Sequence, residues 1–545
     1  MAPRILVLPD AASLAPSITY EIGAYSDIHG SVSDAEAPIV AGVWDLSDRD
    51  APTEAYEAEW DEMKYVVRGT ATITDELSQQ SFELKPGALI WIPKGSKGTF
   101  SKSSDFRTIY VEQRHGEGQF QTGSEKEAKD GQTSDGLSHK LAALIETFVA
   151  ENPSSLEAHG RAEAVLAGGN TRAVLHGSPF PLYIKSGHGP HLSSVDGREY
   201  LDLVSDYSAA FYGHSHPVLT DAISHAATQG FSLGAATVRE SELAQRVQTR
   251  FPSIERVRFC NSGTEANTYA LAAAMEFTGR KKILVFDQGY HGGTLSFGSR
   301  TNPLNLPHEF VYGTYDSIPD TRPCITPDLA AIIVEPMLAA GGQVAASREF
   351  LEFLRQAANV TGAVLIFDEV VTSRLHFHGL QGHHGIRPDM TTLGKYLGGG
   401  LPFGAFGGGA DIMSLFDPSQ NRLAHSGTFN NNVFTMSAAL AAADLVTEEE
   451  INRVNKLGDN IRDGITALCL STGVSDLKVT GFGSAVGFHF SGPNAATLKD
   501  YFFFHMLQQG IYLGRRGFVY MNLAHTDAHV KQFLEAIDKF LGDIK

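Results

Sequence analysis

Three stretches of this chain are apolar almost without interruption: KILVFD at 282–287, AAIIVEP at 330–336 and GAVLIFDEVV at 362–371. A strand with one wet face alternates apolar and polar residues, whereas a continuous run belongs to a strand covered on both faces. Helix-like segments separate the three runs. Strands joined in this way make a mainly parallel sheet with helices on both sides, an α/β fold. Ligands of such sheets bind at the carboxyl ends of the strands. Glu335 and Asp368 stand at two of those ends.

The chain has 545 residues, enough for three or four units at about 150 residues each. Residues 113–137, QRHGEGQFQTGSEKEAKDGQTSDGL, are polar and rich in glycine and charge, and read as a linker. Before it, residues 38–112 hold short β-rich runs such as MKYVVRGTATIT and FRTIYVEQ, separated by turns at Lys85-Pro86-Gly87 and Pro93-Lys94-Gly95. That spacing predicts a small all-β barrel or sandwich. After it, Leu141, Leu144, Ile145, Phe148 and Val149 keep the spacing of an amphipathic helix that stops before Pro153. Val530, Phe533, Leu534, Ile537 and Leu541 predict a last helix behind a Thr526 cap.

A net charge of −19, with no basic block, argues against a nucleic-acid or anionic-membrane partner. No stretch of about 18 apolar residues is present to span a bilayer. The start, MAPRILVLPDAASL, makes a poor signal peptide because Pro9 and Asp10 interrupt its apolar run. Three widely spaced cysteines suit a reducing, cytoplasmic setting.

The chemistry gathers around one lysine. Residues 393–408 read LGKYLGGGLPFGAFGG, and Lys395 has no other charge for company. Alone it would be a surface lysine with its stem laid over apolar residues. Asp368 alone would be a cap or a turn residue. At 261–267, NSGTEAN precedes a strong helix-forming run. Ser262, Gly263 and Thr264 are then either an ordinary helix cap or a phosphate cup of N–H groups and hydroxyls at a helix N-terminus. Together, the cup, the carboxylate and a desolvated lysine match the needs of pyridoxal phosphate. The cup takes the phosphate, the carboxylate keeps the pyridine nitrogen protonated, and the lysine forms a Schiff base. Desolvation favours the neutral, nucleophilic amine.

From about residue 160 to the end, the chain resembles the class III aminotransferases of the fold-type I pyridoxal-phosphate enzymes. The resemblance rests on NSGTEAN, FDQGYHGG (286–293), IIVEPM (332–337), LIFDEVVTSR (365–374), LGKYLGGGLPFGAFGG and HSGTFNNN (425–432), in that order. It implies a large α/β domain with a mainly parallel sheet and a small α+β domain. The expected division is 138–210 for an N-terminal segment, 211–435 for the large domain and 436–545 for the small one, after a barrel at 1–115 and a linker at 116–137. The resemblance makes Lys395 the Schiff-base lysine and proton carrier, and Asp368 the partner of the pyridine nitrogen. Ser262, Gly263 and Thr264 become phosphate ligands. Tyr290 stacks on one face of the ring and Val370 packs on the other. Glu335 lies near the cofactor, and Thr428 is a phosphate ligand donated across a homodimer interface.

Within that class the chain looks most like glutamate-semialdehyde aminomutases and β-amino-acid aminotransferases. Residues 168–182, GGNTRAVLHGSPFPL, are similar to the β-phenylalanine type, in which the arginine of this motif, here Arg172, contacts a substrate carboxylate. Arg516 in GRRGF is a second candidate, and either arginine could instead form a surface ion pair. Tyr207 and Tyr212 in VSDYSAAFYGHSH are pocket walls or plain core. The expected activity moves an amino group from an amino acid, a β-amino acid in this reading, to an oxo acid such as 2-oxoglutarate or pyruvate. An aminomutase is the alternative, although residues 294–317 lack the Gly/Ser-rich look of a mutase lid. A non-catalytic sensor is a second alternative, against which the presence of both Lys395 and Asp368 weighs. A third is a barrel that acts while the large domain merely dimerises it.

Residues 38–112 resemble a cupin through EAEWDEMKYVVRG (57–69) and KPGALIWIPKGSKGTF (85–100). Glu62 falls on the glutamate of the metal-binding set, but the histidine positions fall on Ala55, Glu57 and Gly98. A transition-metal site needs several converging donors, so no metal is expected. The barrel then serves assembly or stability, or else handles a ligand through Trp60, Tyr65 and Trp91.

Overall fold

In the computed structural model the three apolar runs become neighbouring strands of one sheet. The structure describes residues 18–20, 23–30, 39–53, 56–58, 61–76, 78–113 and 134–545. The chain forms two compact units, Met1–Asp135 and Gly136–Lys545.

The sheet of the second unit has seven strands. From edge to edge they are Arg256–Cys260, Gly404–Gly408, Met390–Gly394, Val364–Asp368, Leu329–Val334, Lys282–Phe286 and Glu309–Gly313. Gly404–Gly408 runs antiparallel to both of its neighbours, and the remaining pairs are parallel. Alternate residues enter two different cores. Ile283, Val285, Ile333 and Ile366 pack with Ala266, Ala270 and Leu271 of the helix Gly263–Thr278. Leu284, Phe286, Ile332, Leu365 and Phe367 pack with Phe350, Leu351 and Leu354 of the helix Arg348–Thr361. Both faces are therefore dry, which is why the runs do not alternate.

The last helix, Asp527–Ile544, starts at a capping box between Thr526 and His529. It packs with the helix Glu448–Thr472 in a core that includes Ile461, Ile465, Phe533 and Ile537. The segment 138–210, set apart in the sequence reading, joins this end of the molecule. Its strand Glu199–Asp202 pairs in parallel with Ile511–Tyr512. Its helix Ser134–Glu151 places Phe148 against Phe180, Tyr200, Phe504 and Leu507. That helix also takes up residues 134–137, which the composition had placed in the linker; most of the expected linker lies outside the described residues.

In the first unit, the long strands Glu62–Asp75 and Lys97–Gln113 pair along most of their length, with register shifts between Val66 and Thr72. Gly69 sits at one shift with φ +70°, and a Cβ there would come 2.1 Å from the Asp105 carbonyl oxygen. Trp44, Val66, Leu84, Phe100, Phe106 and Tyr110 form the interior. Lys64 is also buried; it pairs with Glu62, its Nζ 4.5 Å from the centre of the Trp44 ring. The strand period turns Tyr65 and Trp91 the other way, and they are 47% and 61% exposed. Two of the three aromatics named for ligand handling therefore lie on the outside of the barrel. Trp60 and Ala55 fall outside the described residues. Glu62 is engaged by Lys64, and among the described residues no group of three or more His, Cys, Asp or Glu is placed to hold a metal ion. Among them, too, no helix is long and apolar enough to cross a membrane.

Candidate active site

Five strands of the large sheet end around one point. Ser262 follows the first, Tyr290 and His291 follow Lys282–Phe286, and Glu335 follows Leu329–Val334. Asp368 closes its own strand, and Lys395 follows Met390–Gly394 directly. The sheet supplies the position; the turns after the strands supply the chemistry.

Asp368 is 4% exposed and has three hydrogen-bond partners. Asn267 Nδ2 donates to its Oδ2 at 2.8 Å, His291 Nδ1 lies 2.8 Å from the same oxygen, and the Val370 amide donates to Oδ1 at 3.0 Å. A carboxylate accepts only, so the His291 proton sits on Nδ1. Asn267 is itself fixed, because Thr392 Oγ1 donates to its Oδ1 at 2.7 Å. Neither His291 nor Asn267 was singled out in the sequence, although both stand inside motifs quoted there. A histidine next to a tyrosine in FDQGYHGG carries no mark that it points at a carboxylate 77 residues on.

Lys395 has φ +53°, a left-handed conformation in which a side chain is uncommon. The glycine-rich turn that follows lets the chain leave the sheet at once. Burial pushes its ammonium down from the usual lysine range, against Asp368, Glu335 and Asp206, which favour the charged form. Burial likewise pushes the Glu335 carboxyl up, to about 7. Glu335 accepts from the amides of Tyr290 (2.9 Å) and Ala339 (3.1 Å), so it fixes the backbone of Tyr290.

Ser262 caps the helix Gly263–Thr278, its Oγ accepting from the Glu265 amide at 3.1 Å. A Cβ on Gly263 would come 2.8 Å from Val370 Cγ2, so only glycine lets the helix start lie against Val370. Thr264 Oγ1 accepts from the Gly293 amide at 3.3 Å, which ties this helix start to the turn carrying Tyr290 and His291. Tyr290 is 45% exposed. Thr428 is exposed, two residues before Asn430, whose Oδ1 accepts from Asn261 Nδ2 at 2.9 Å.

The candidate substrate residues gather at one side. Arg172 Nη1 donates to Asp206 Oδ1 at 2.7 Å, and its guanidinium carbon lies 5.1 Å from the centre of the Tyr207 ring. Tyr207 packs edge-on against Phe518. Arg172, Tyr207 and Tyr212 help line a largely apolar cavity of about 780 Å³, with Leu219 and Tyr512. Lys395 and Asp368 do not line it; of the turn after the lysine it reaches Gly399 and Gly400. Tyr212 is 3% exposed against Phe211 and Tyr396, so it is core as well as wall. Arg516 is exposed and acts electrostatically on Tyr207.

Residues 173–541 match the family described as aminotransferase class-III. The chain belongs to the class III aminotransferases. Residues 41–110 match the EutQ-like cupin domain. This aminotransferase is similar to the β-phenylalanine transaminase of Variovorax paradoxus, 44% identical over 420 residues that make up 74% of this chain and 96% of the relative. The solved structure of a β-phenylalanine aminotransferase from the same organism has a TM-score of 0.72, covering 74% of this chain and 97% of that one. A glutamate-1-semialdehyde 2,1-aminomutase of Bacillus pumilus is 34% identical over 424 residues, 72% of this chain and 98% of the relative. A solved transaminase with PLP bound is 31% identical, with a TM-score of 0.68 over 72% of this chain and 98% of that one. The chain is thus a pyridoxal-phosphate-dependent transaminase of fold-type I, preceded by a cupin domain. Its residues fit the cofactor: a desolvated lysine, a carboxylate held by three donors, and a helix start that a glycine keeps clear.

Proposed function

We propose that this transaminase takes the amino group of a β-amino acid with an apolar side chain and passes it to an oxo acid. The observation that carries this reading is the position of Arg172 on a largely apolar cavity, close enough to Lys395 to act on its charge. Its planar guanidinium suits a carboxylate, and the cavity suits an aryl or alkyl body. The nearer similarity to β-phenylalanine transaminases than to aminomutases supports the same choice.

In this reading Ser262, Gly263 and Thr264 hold the phosphate of the cofactor, Asp368 faces its ring nitrogen, and Tyr290 and Val370 flank the ring. Pyridoxal phosphate supplies an electron sink for the carbon that bears the amine. The protein supplies the rest. Asp368 is held in place by Asn267, His291 and the Val370 amide to face the ring nitrogen. Lys395, kept from water and so more readily neutral, takes the proton from the substrate carbon and returns it. Arg172 takes the substrate carboxylate, and Arg516 is the second candidate for that role. The exposed Thr428 and Phe429 suit a homodimer in which Thr428 reaches the partner's phosphate site.

A half-reaction tests this. The cofactor-loaded protein is mixed with 3-amino-3-phenylpropanoate and no acceptor, and the visible absorbance of the cofactor is followed. Loss of that absorbance, much slowed in Arg172→Ala, supports the reading. Indifference to β-amino acids alongside a response to a diamine or an amino aldehyde moves the chain to the mutases.

A further inference from the structure

Arg172 already has one anionic partner. Asp206 already holds it at 2.7 Å, and Asp206 helps line the same cavity. A substrate carboxylate must therefore displace or share an existing partner. The pair is about half exposed on both sides, 48% and 50%, so water screens it and it can open.

The backbone shows that Asp206 is held there at a cost. Ser205, Asp206, Tyr207 and Ser208 have φ of +47°, +44°, +54° and +78°, four consecutive left-handed residues with no glycine among them. Such conformations persist only where the surroundings over-determine them, and they cluster at ligand sites. Here the surroundings do so. Asp202 Oδ1 accepts from the amides of Val204 (2.8 Å) and Ser205 (3.2 Å). Ser205 Oγ donates to the Tyr520 carbonyl at 2.7 Å and accepts from Asn522 Nδ2 at 2.9 Å. Arg374 Nη1 donates to the Ser208 carbonyl at 3.3 Å. The outer residues of the turn are pinned, and its middle pair, Asp206 and Tyr207, is presented to Arg172.

We propose that Asp206 is a competitor for Arg172: it sets one threshold that every ligand carboxylate must overcome, so that a carboxylate is held only where an apolar body filling the cavity adds enough affinity to offset it. This rests on the reading of Arg172 as the carboxylate site. The penalty is common to every carboxylate. A small one has nothing to offset it, whereas one with an aryl group gains the apolar wall as well. A neutral ligand does not need Arg172 and meets no threshold.

The test is equilibrium binding to the cofactor-loaded protein by calorimetry, with 3-phenylpropanoate, propanoate and 3-phenylpropanamide as unreactive probes. Asp206→Asn removes the charge and keeps a residue at ease in the left-handed region; Asp206→Gly repeats the test if the asparagine variant is misfolded by near-UV dichroism. The expected result is a Kd about fivefold lower for both carboxylates, the upper scale of an exposed ion pair, and no change for the amide. In an Arg172→Ala background the Asp206 substitution should then do nothing. Unchanged or weaker carboxylate binding in the Asp206 variants overturns the proposal. So does tightening that survives Arg172→Ala, since that would be simple repulsion. If Arg172→Ala alone leaves carboxylate binding as it was, the reading of Arg172 itself fails, a separate result.

Discussion

His291 Nδ1 and Asp368 Oδ2 lie 2.8 Å apart with both side chains almost wholly buried. The imidazole orients the carboxylate. Replacing His291 by phenylalanine leaves a buried carboxylate short of a donor, an effect of about 1–3 kcal/mol. The expected outcome is a kcat lowered by about tenfold to a hundredfold, with weaker cofactor retention and little change in KM. His291→Asn, which keeps a donor, should recover part of the loss. Steady-state kinetics with a cofactor titration checks both.

Lys395→Ala should abolish turnover and the visible absorbance of the lysine-bound cofactor. It should not destabilise the cofactor-stripped protein, because burial disfavours the ammonium it removes. Equal or higher thermal stability of the stripped variant, against wild type at the same pH, is the check. A large loss of stability would mean that Lys395 is a packing residue first.

Glu335 gives a pH dependence with a definite sign. Burial raises its carboxyl from 4.5 to about 7 in the folded chain. Between those values the folded state holds a proton that the unfolded state has released. Stability therefore falls as pH rises from about 4.5 to about 7 and levels off above. Glu335→Gln removes the titration but leaves one amide of the Tyr290–Ala339 pair without its acceptor. The variant should be less stable than wild type at pH 5, by an amount that shrinks towards pH 8. Denaturant melts of the stripped proteins across that range decide it. A difference that stays constant with pH would show that the carboxyl titrates normally.

The sequence made the buried strands legible because both of their faces are dry, so KILVFD, AAIIVEP and LIFDEVV needed no partner to be read. Asp368 and Glu335 could be placed for the same reason, since each stands where such a strand stops, whereas Lys395 was marked by its glycine-rich, uncharged surroundings. The contacts of Asp368 were not legible. Asn267 and His291 reach it from 101 and 77 residues away, through the order of the sheet and not through any local spacing. The left-handed run 205–208 was equally hidden, because Ser, Asp, Tyr and Ser carry none of the glycine that normally marks such a turn. In the barrel, the strand period itself was readable, but which face was inside was not. Lys64, the one charge in MKYVV, points inward, where Glu62 and the Trp44 ring engage it, and Tyr65 points outward.

The barrel offers the last prediction. Every candidate site residue from Arg172 to Arg516 belongs to the unit that begins at Gly136. The barrel's Tyr65 and Trp91 face outward, and its interior holds the Lys64–Glu62 pair. A chain lacking residues 1–133 should therefore keep its kcat/KM within about twofold, if the barrel serves assembly or stability. The cut must come before Ser134. The helix Ser134–Glu151 buries Phe148 against Phe180, Tyr200 and Phe504, and losing a buried phenylalanine alone costs about 3–5 kcal/mol. A second truncation at 152 should consequently lose stability or fail to fold, while the first should melt as one cooperative unit. Kinetics and sedimentation on the shorter chain separate the possibilities. Intact kcat/KM with altered assembly makes the barrel an assembly element, whereas a changed donor range at unchanged assembly would give it a part in handling substrate.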